Sequence, residues 1–127
     1  MRRGLAALVT ACAMLAPATA QAHAALLKSM PGSRETLSRS PAAIVLRFNE
    51  AVEPRFSNVT LEAPDGRPVT LGTLRLSGDD PAQIEIAIPG SLSPGTYTVR
   101  YRVLSQDGHV VEYGYQFRVA PATGVDD

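Results

Sequence analysis

From Tyr97 to Val103 every second side chain is apolar: Tyr97, Val99, Tyr101 and Val103 are separated by Thr98, Arg100 and Arg102. Successive side chains of a strand point to opposite faces, so a period of two gives one apolar face and one that meets water. Ile44, Leu46 and Phe48 alternate in the same way with Val45, Arg47 and Asn49. Further β-rich runs recur at short intervals, and strands are expected near residues 25–30, 43–50, 58–63, 68–76, 82–88, 95–105 and 110–119. Between them lie turn sequences, clearest at Pro64-Asp65-Gly66, Gly78-Asp79-Asp80-Pro81 and Ser93-Pro94-Gly95. Residues 32–37 are expected to form at most one short helical turn. About seven short strands at such spacing predict an all-β, immunoglobulin-like β-sandwich.

The first 22 residues read as an export signal rather than as part of the fold. Arg2 and Arg3 form a positive start, residues 5–15 are apolar and uncharged, Pro17 breaks the run, and Ala20-Gln21-Ala22 places small residues where a signal peptidase reads. The run is too short to span a bilayer, which takes about 20 apolar residues. The Arg pair is a hint of twin-arginine export, and residues 9–12, ending in Cys12, loosely resemble a lipoprotein signal. The expected organisation is a cleaved signal at 1–22, one domain at 23–119 and a solvated tail at 120–127.

Cleavage also changes the chemistry of the chain. The precursor carries 12 Lys and Arg against 12 Asp and Glu, so removing Arg2 and Arg3 leaves the acids in slight excess. No basic run remains, which argues against nucleic acid or an anionic membrane surface as partner. Cys12 is the one cysteine, so the mature domain has neither disulfide nor thiolate ligand.

The chain has 2 histidines, His23 and His109. Cleavage after Ala22 makes His23 the first residue, and a free N-terminal histidine offers its amine and ring Nδ1 as a six-membered chelate. A terminus that plays no part in function has the same sequence. His109 closes Ser105-Gln106-Asp107-Gly108-His109. Asp107 and His109 are two apart and share one side of an extended segment, with Gly108 permitting a kink. An ordinary Asp-Gly turn with a surface histidine fits those residues equally. Taken together, an amine, two imidazoles and a carboxylate suit tetragonal Cu(II), which stands highest in the divalent affinity order. Zinc fits this set less well. Glu50, after Phe48-Asn49, could reach the amine or a metal-bound water, and a solvated surface glutamate fits the same residues equally. Met30 is the one methionine after the signal, so no Cu(I) site is expected, and Met30 is expected to pack at the end of the first strand. Tyr97, Tyr101, Tyr113 and Tyr115 are expected in the core or half-buried.

These residues, in this order and spacing, resemble the CopC copper-resistance family of bacterial periplasmic proteins. The resemblance rests on His23-Ala24, Ser29-Met30-Pro31-Gly32, Leu46-Arg47-Phe48-Asn49-Glu50, the stretch 92–99, Ser105-Gln106-Asp107-Gly108-His109 and Gly114-Tyr115-Gln116-Phe117-Arg118-Val119. It implies a cupredoxin- or immunoglobulin-like Greek-key sandwich and one Cu(II) held by His23, through amine and ring, with Asp107 and His109. Glu50 becomes a nearby acid or weak ligand. Some members also hold Cu(I) in a Met-rich stretch; this chain lacks one and resembles the Cu(II)-only subgroup.

The function expected from residues and resemblance together is that of a non-enzymatic periplasmic Cu(II) carrier or buffer, in copper resistance or import. A CopD-type inner-membrane transporter is the implied partner. Two other classes stay open. Copper oxygenases that cleave polysaccharides also use an N-terminal histidine, although an anionic ligand disfavours their reductive oxygen chemistry and no Trp is present to stack a sugar. A metal-free immunoglobulin-like interaction module is the third reading.

Overall fold

The computed structural model describes residues 24–122. The expected signal at 1–22, His23 and residues 123–127 lie outside the described residues. Eight strands form two four-stranded sheets. One runs in the order β1 (Leu26–Met30), β3 (Ala43–Phe48), β6 (Gln83–Ala87), β5 (Arg75–Leu76). The other runs β2 (Thr36–Leu37), β8 (Val110–Val119), β7 (Gly95–Leu104), β4 (Asn58–Glu62). Every pairing is antiparallel except that of β2 with β8.

Register carries the alternation into a core. Ile44 faces Ile86 and Leu46 faces Ile84 across β3 and β6. Tyr97 faces Phe117, Val99 faces Tyr115 and Val103 faces Val111 across β7 and β8, while Leu61 of β4 lies opposite Val99. Partners directly opposite share a face, so these rows meet between the sheets, where Ile44, Leu46, Phe48, Ile84, Leu61, Val99, Val103 and Phe117 are buried. Burial of each such side chain favours folding by roughly 1.5–3 kcal/mol. Phe48 meets Tyr101 edge-on across the sandwich, with ring centroids 5.6 Å apart at 72°. Two of the buried tyrosines satisfy their hydroxyls on backbone: Tyr97 donates to the Ser93 carbonyl at 2.6 Å and Tyr115 to the Pro31 carbonyl at 2.7 Å. On the outer face, Arg102 pairs with Glu112 at 3.0 Å and Arg100 with Glu62 at 3.5 Å. These pairs are exposed and add little stability.

The structure departs from the sequence reading in four places. The strand expected over 68–76 is split, because that segment changes sheets. Pro68 and Val69 lean on β4, Gly72 donates to the Ala87 carbonyl at 2.8 Å, and only Arg75–Leu76 pairs as β5. The helical turn expected over 32–37 is a tight turn from Gly32 to Glu35 followed by β2, so the strands number eight, with a short 3-10 helix at Pro54–Phe56 that the sequence reading lacked. Met30 does not pack at the end of β1 but is 59 % exposed, because a register shift between Leu26 and Lys28 disturbs the alternation of this edge strand. Tyr113 is 70 % exposed, while Tyr97, Tyr101 and Tyr115 are buried.

Candidate metal site

The longest strands, β7 and β8, form a hairpin whose tip is Gln106-Asp107-Gly108. Ser105 N–H donates to the His109 carbonyl at 2.9 Å and Gly108 N–H to the Ser105 carbonyl at 3.0 Å. Gly108 takes φ +89°, the left-handed conformation in which a three-residue hairpin loop favours glycine. The tight loop turns Asp107 back over His109. Asp107 Oδ1 accepts from the His109 N–H at 3.1 Å and from the Ser105 hydroxyl, and Asp107 Oδ2 lies 3.0 Å from His109 Nδ1. The Ser105 hydroxyl, and then His109, hold the Asp107 carboxyl down at about 2. That carboxylate is therefore ionised throughout the neutral range. Its contribution to apo stability is complete above its ordinary value of 3.8 and is lost as pH falls toward about 2.

Donor spacing is the first test of whether a metal fits. Two ligands at about 2.0–2.1 Å on adjacent corners of a square site stand about 2.9 Å apart. The 3.0 Å between Asp107 Oδ2 and His109 Nδ1 matches that separation. A metal ion could thus take the place of the proton the two groups share.

The second test is what lies beside the loop. The residues after β3 tie two distant parts of the chain together. Asn49 is clamped to Ala25, accepting the Ala25 N–H on Oδ1 at 2.8 Å and donating its own N–H to the Ala25 carbonyl at 3.0 Å. Two residues on, the Ala51 carbonyl accepts the Gln106 N–H at 3.1 Å, and Val52 bridges to Ser105. Ala24, the first described residue, is buried in the core. The segment from Asn49 to Val52 therefore joins the start of the domain to the hairpin tip at one end of the sandwich. Glu50 stands within that segment, and its Oε1 is buried with no hydrogen-bond partner among the described residues. An orphaned carboxylate oxygen is costly to bury, and its natural complement is a cation or an N–H donor.

Of the residues singled out from sequence, the structure thus brings Asp107 and His109 into direct contact and sets Glu50 in the adjoining segment; His23 lies outside the described residues. Among the described residues no group of three or more His, Cys, Asp or Glu is placed to hold a metal ion. Sequence reasoning quoted Ser105 but gave it no role; its signal was a hydroxyl two residues before an aspartate, a spacing that favours local side-chain hydrogen bonds.

A family model described as the CopC domain matches residues 26–120. The chain belongs to the CopC family. Protein YobA of Escherichia coli K12 is 34% identical over 119 residues, covering 94% of this chain and 94% of that protein. The copper transport protein CutJ of Bacillus subtilis is 29% identical over 108 residues, which cover 85% of this chain but 20% of CutJ. Among solved structures, CopC from Methylosinus trichosporium OB3b superposes with a TM-score of 0.74 at 32% identity, covering 82% of this chain and 100% of that one. PcoC from Escherichia coli, described as a methionine-rich copper resistance protein, gives 0.66 at 30% identity, covering 77% and 99%. Membership makes the function of this CopC chain a copper-related one. It also bears out the β-sandwich expected from the alternating strands. Among the described residues no helix is long and apolar enough to cross a membrane.

Proposed function

We propose that this protein is an exported, periplasmic Cu(II) carrier that binds one copper ion per chain through the His23 amine and ring, Asp107 and His109, with Glu50 beside the site. The observation that carries this reading is the Asp107–His109 pair, whose 3.0 Å spacing suits adjacent metal ligands. It is supported by the ties from Asn49 to Ala25 and from Ala51 to Gln106. Consecutive Cα atoms are 3.8 Å apart, so a chain that begins at His23 begins one residue before the buried Ala24. The orphaned Glu50 oxygen supports a positive group nearby.

The donors are nitrogen and oxygen, with an anion among them, and such a set favours Cu(II) over Cu(I). That preference argues for carrying the ion rather than cycling it against oxygen. Met30 offers one exposed thioether, too little for a separate Cu(I) site. A CopD-type inner-membrane transporter is the proposed partner. In CutJ a matching stretch makes up a fifth of a copper transport protein, which supports such a pairing.

Copper titration of the mature protein against a competing chelator tests the reading. The expected result is one Cu(II) per chain, and His109→Ala should weaken binding by more than the roughly 10–100-fold typical of losing an outer-shell partner, while circular dichroism of the apo protein stays unchanged. An unchanged dissociation constant in His109→Ala would overturn it.

The pH dependence has a defined sign. Amine and imidazole ligands must shed protons to bind, so affinity should fall from about pH 8 to 5. Asp107 takes up its proton only near 2, so Asp107→Asn should weaken binding at every pH without changing the slope in that interval. Dissociation constants measured across the range in both proteins check this; a flattened slope in the variant would count against it.

A further inference from the structure

Ser105 is the one polar residue fully buried among the described residues, at 1 % exposed. It lies where β7 enters the hairpin tip, opposite Val52, and its backbone already serves the loop through bonds to His109 and Gly108. The side chain is therefore not needed to close the turn. Its Oγ has two acceptors in reach, Asp107 Oδ1 and the His109 carbonyl at 3.1 Å. A hydroxyl carries one proton, and an ionised carboxylate is the stronger acceptor. The His109 carbonyl is already served by Ser105 N–H at 2.9 Å. The proton therefore goes to Asp107 Oδ1, which also accepts the His109 N–H. With both donors on Oδ1, the carboxylate cannot rotate freely about its Cβ–Cγ bond, and Oδ2 is the oxygen turned to His109 Nδ1.

We propose that Ser105 is a positioning residue of the copper site: its buried hydroxyl fixes the Asp107 carboxylate so that Oδ2 alone is presented, beside the His109 ring, to the metal. This rests on the copper reading above. Ser105 touches no metal; it acts through Asp107, as hydrogen-bond partners of metal-ligating carboxylates do elsewhere.

The test uses the mature protein beginning at His23, with Cu(II) as probe. Ser105→Ala should weaken Cu(II) binding by about 10–100-fold and shift the parallel g value and copper hyperfine splitting in the electron paramagnetic resonance spectrum. Ser105→Thr, which keeps the hydroxyl, should bind and resonate like the parent. Introduced into Asp107→Ala, the Ser105→Ala change should have no further effect on affinity, because the group it positions is gone. A purely structural serine would give an additive loss in that double variant and an unshifted spectrum. A Ser105→Ala affinity within about threefold of the parent, or a folded Ser105→Thr protein that has lost affinity, would overturn the proposal; the second arm stands even if the alanine variant does not fold. If instead Asp107→Ala leaves affinity unchanged, the copper-site reading itself fails. Loss in Asp107→Ala without loss in Ser105→Ala sinks only the role of Ser105.

Discussion

A single alanine placed before His23 should weaken Cu(II) binding by well over the roughly 10–100-fold that loss of an outer-shell contact costs, while leaving the apo fold intact. The reasoning is chemical. In a mature protein that begins at His23, as proposed above, the first nitrogen is an amine that loses its proton at a modest cost near neutral pH. In the extended protein the same nitrogen is an amide, a poor donor unless it is deprotonated at far greater cost. The new terminal amine lies one residue too far away to close the same ring on the His23 side chain. The core should not notice, since Ala24, Asn49 and the sheets are unchanged in sequence. Mass spectrometry must confirm the extra residue, and a chelator-competition titration reads the effect. Equal affinity in the two proteins would remove the amine from the site.

Phe48→Ala should lower the unfolding free energy by about 3–5 kcal/mol. Phe48 is buried at the end of β3 and meets Tyr101 of the opposite sheet, so its removal leaves a void that both sheets line. Domains of this kind are stable by only about 5–15 kcal/mol, and for about 100 residues each kcal/mol moves the melting temperature by about 4–8 °C. A fall of tens of degrees in the apo protein is the expected outcome. Phe48 immediately precedes Asn49 and Glu50, so copper affinity should fall as well. A stability loss below about 1 kcal/mol would mean that the two sheets are not packed through this ring.

The strands that build the core were legible because their faces differ. Tyr97 to Val103 and Ile44 to Phe48 alternate cleanly, and the structure buries one set in each and exposes Arg100, Arg102 and Arg47. Residues 68–76 misled because β-rich composition does not report which sheet a residue joins. Pro68 cannot donate a ladder bond, and the chain crosses to the other sheet after Val69. Thr36–Leu37 was missed because two residues are too few to show a period, and their partners lie in β8. Met30 was misplaced because an edge strand with a register shift obeys no strict alternation. At the candidate site, the pairing of Asp107 with His109 could be foreseen from their spacing. The dual tie of Asn49 to Ala25 and Ala51 to Gln106 could not, because it depends on long-range strand pairing. Ser105 lacked a role for another reason: its spacing to Asp107 allows a local hydrogen bond, but only its burial shows that the hydroxyl is held there.

The hairpin tip from Ser105 to His109 is held by backbone bonds across the turn, by the Gln106 N–H on the Ala51 carbonyl, and by the Asp107 carboxylate set between the Ser105 hydroxyl and the His109 ring. The backbone bonds of this turn form without any metal, so on the proposed reading neither uptake nor surrender of an ion would call for refolding of the turn. For the copper carrier proposed above, the barrier at each exchange would then be set by ligand substitution and proton traffic. The cost of rebuilding the receptacle between deliveries does not enter.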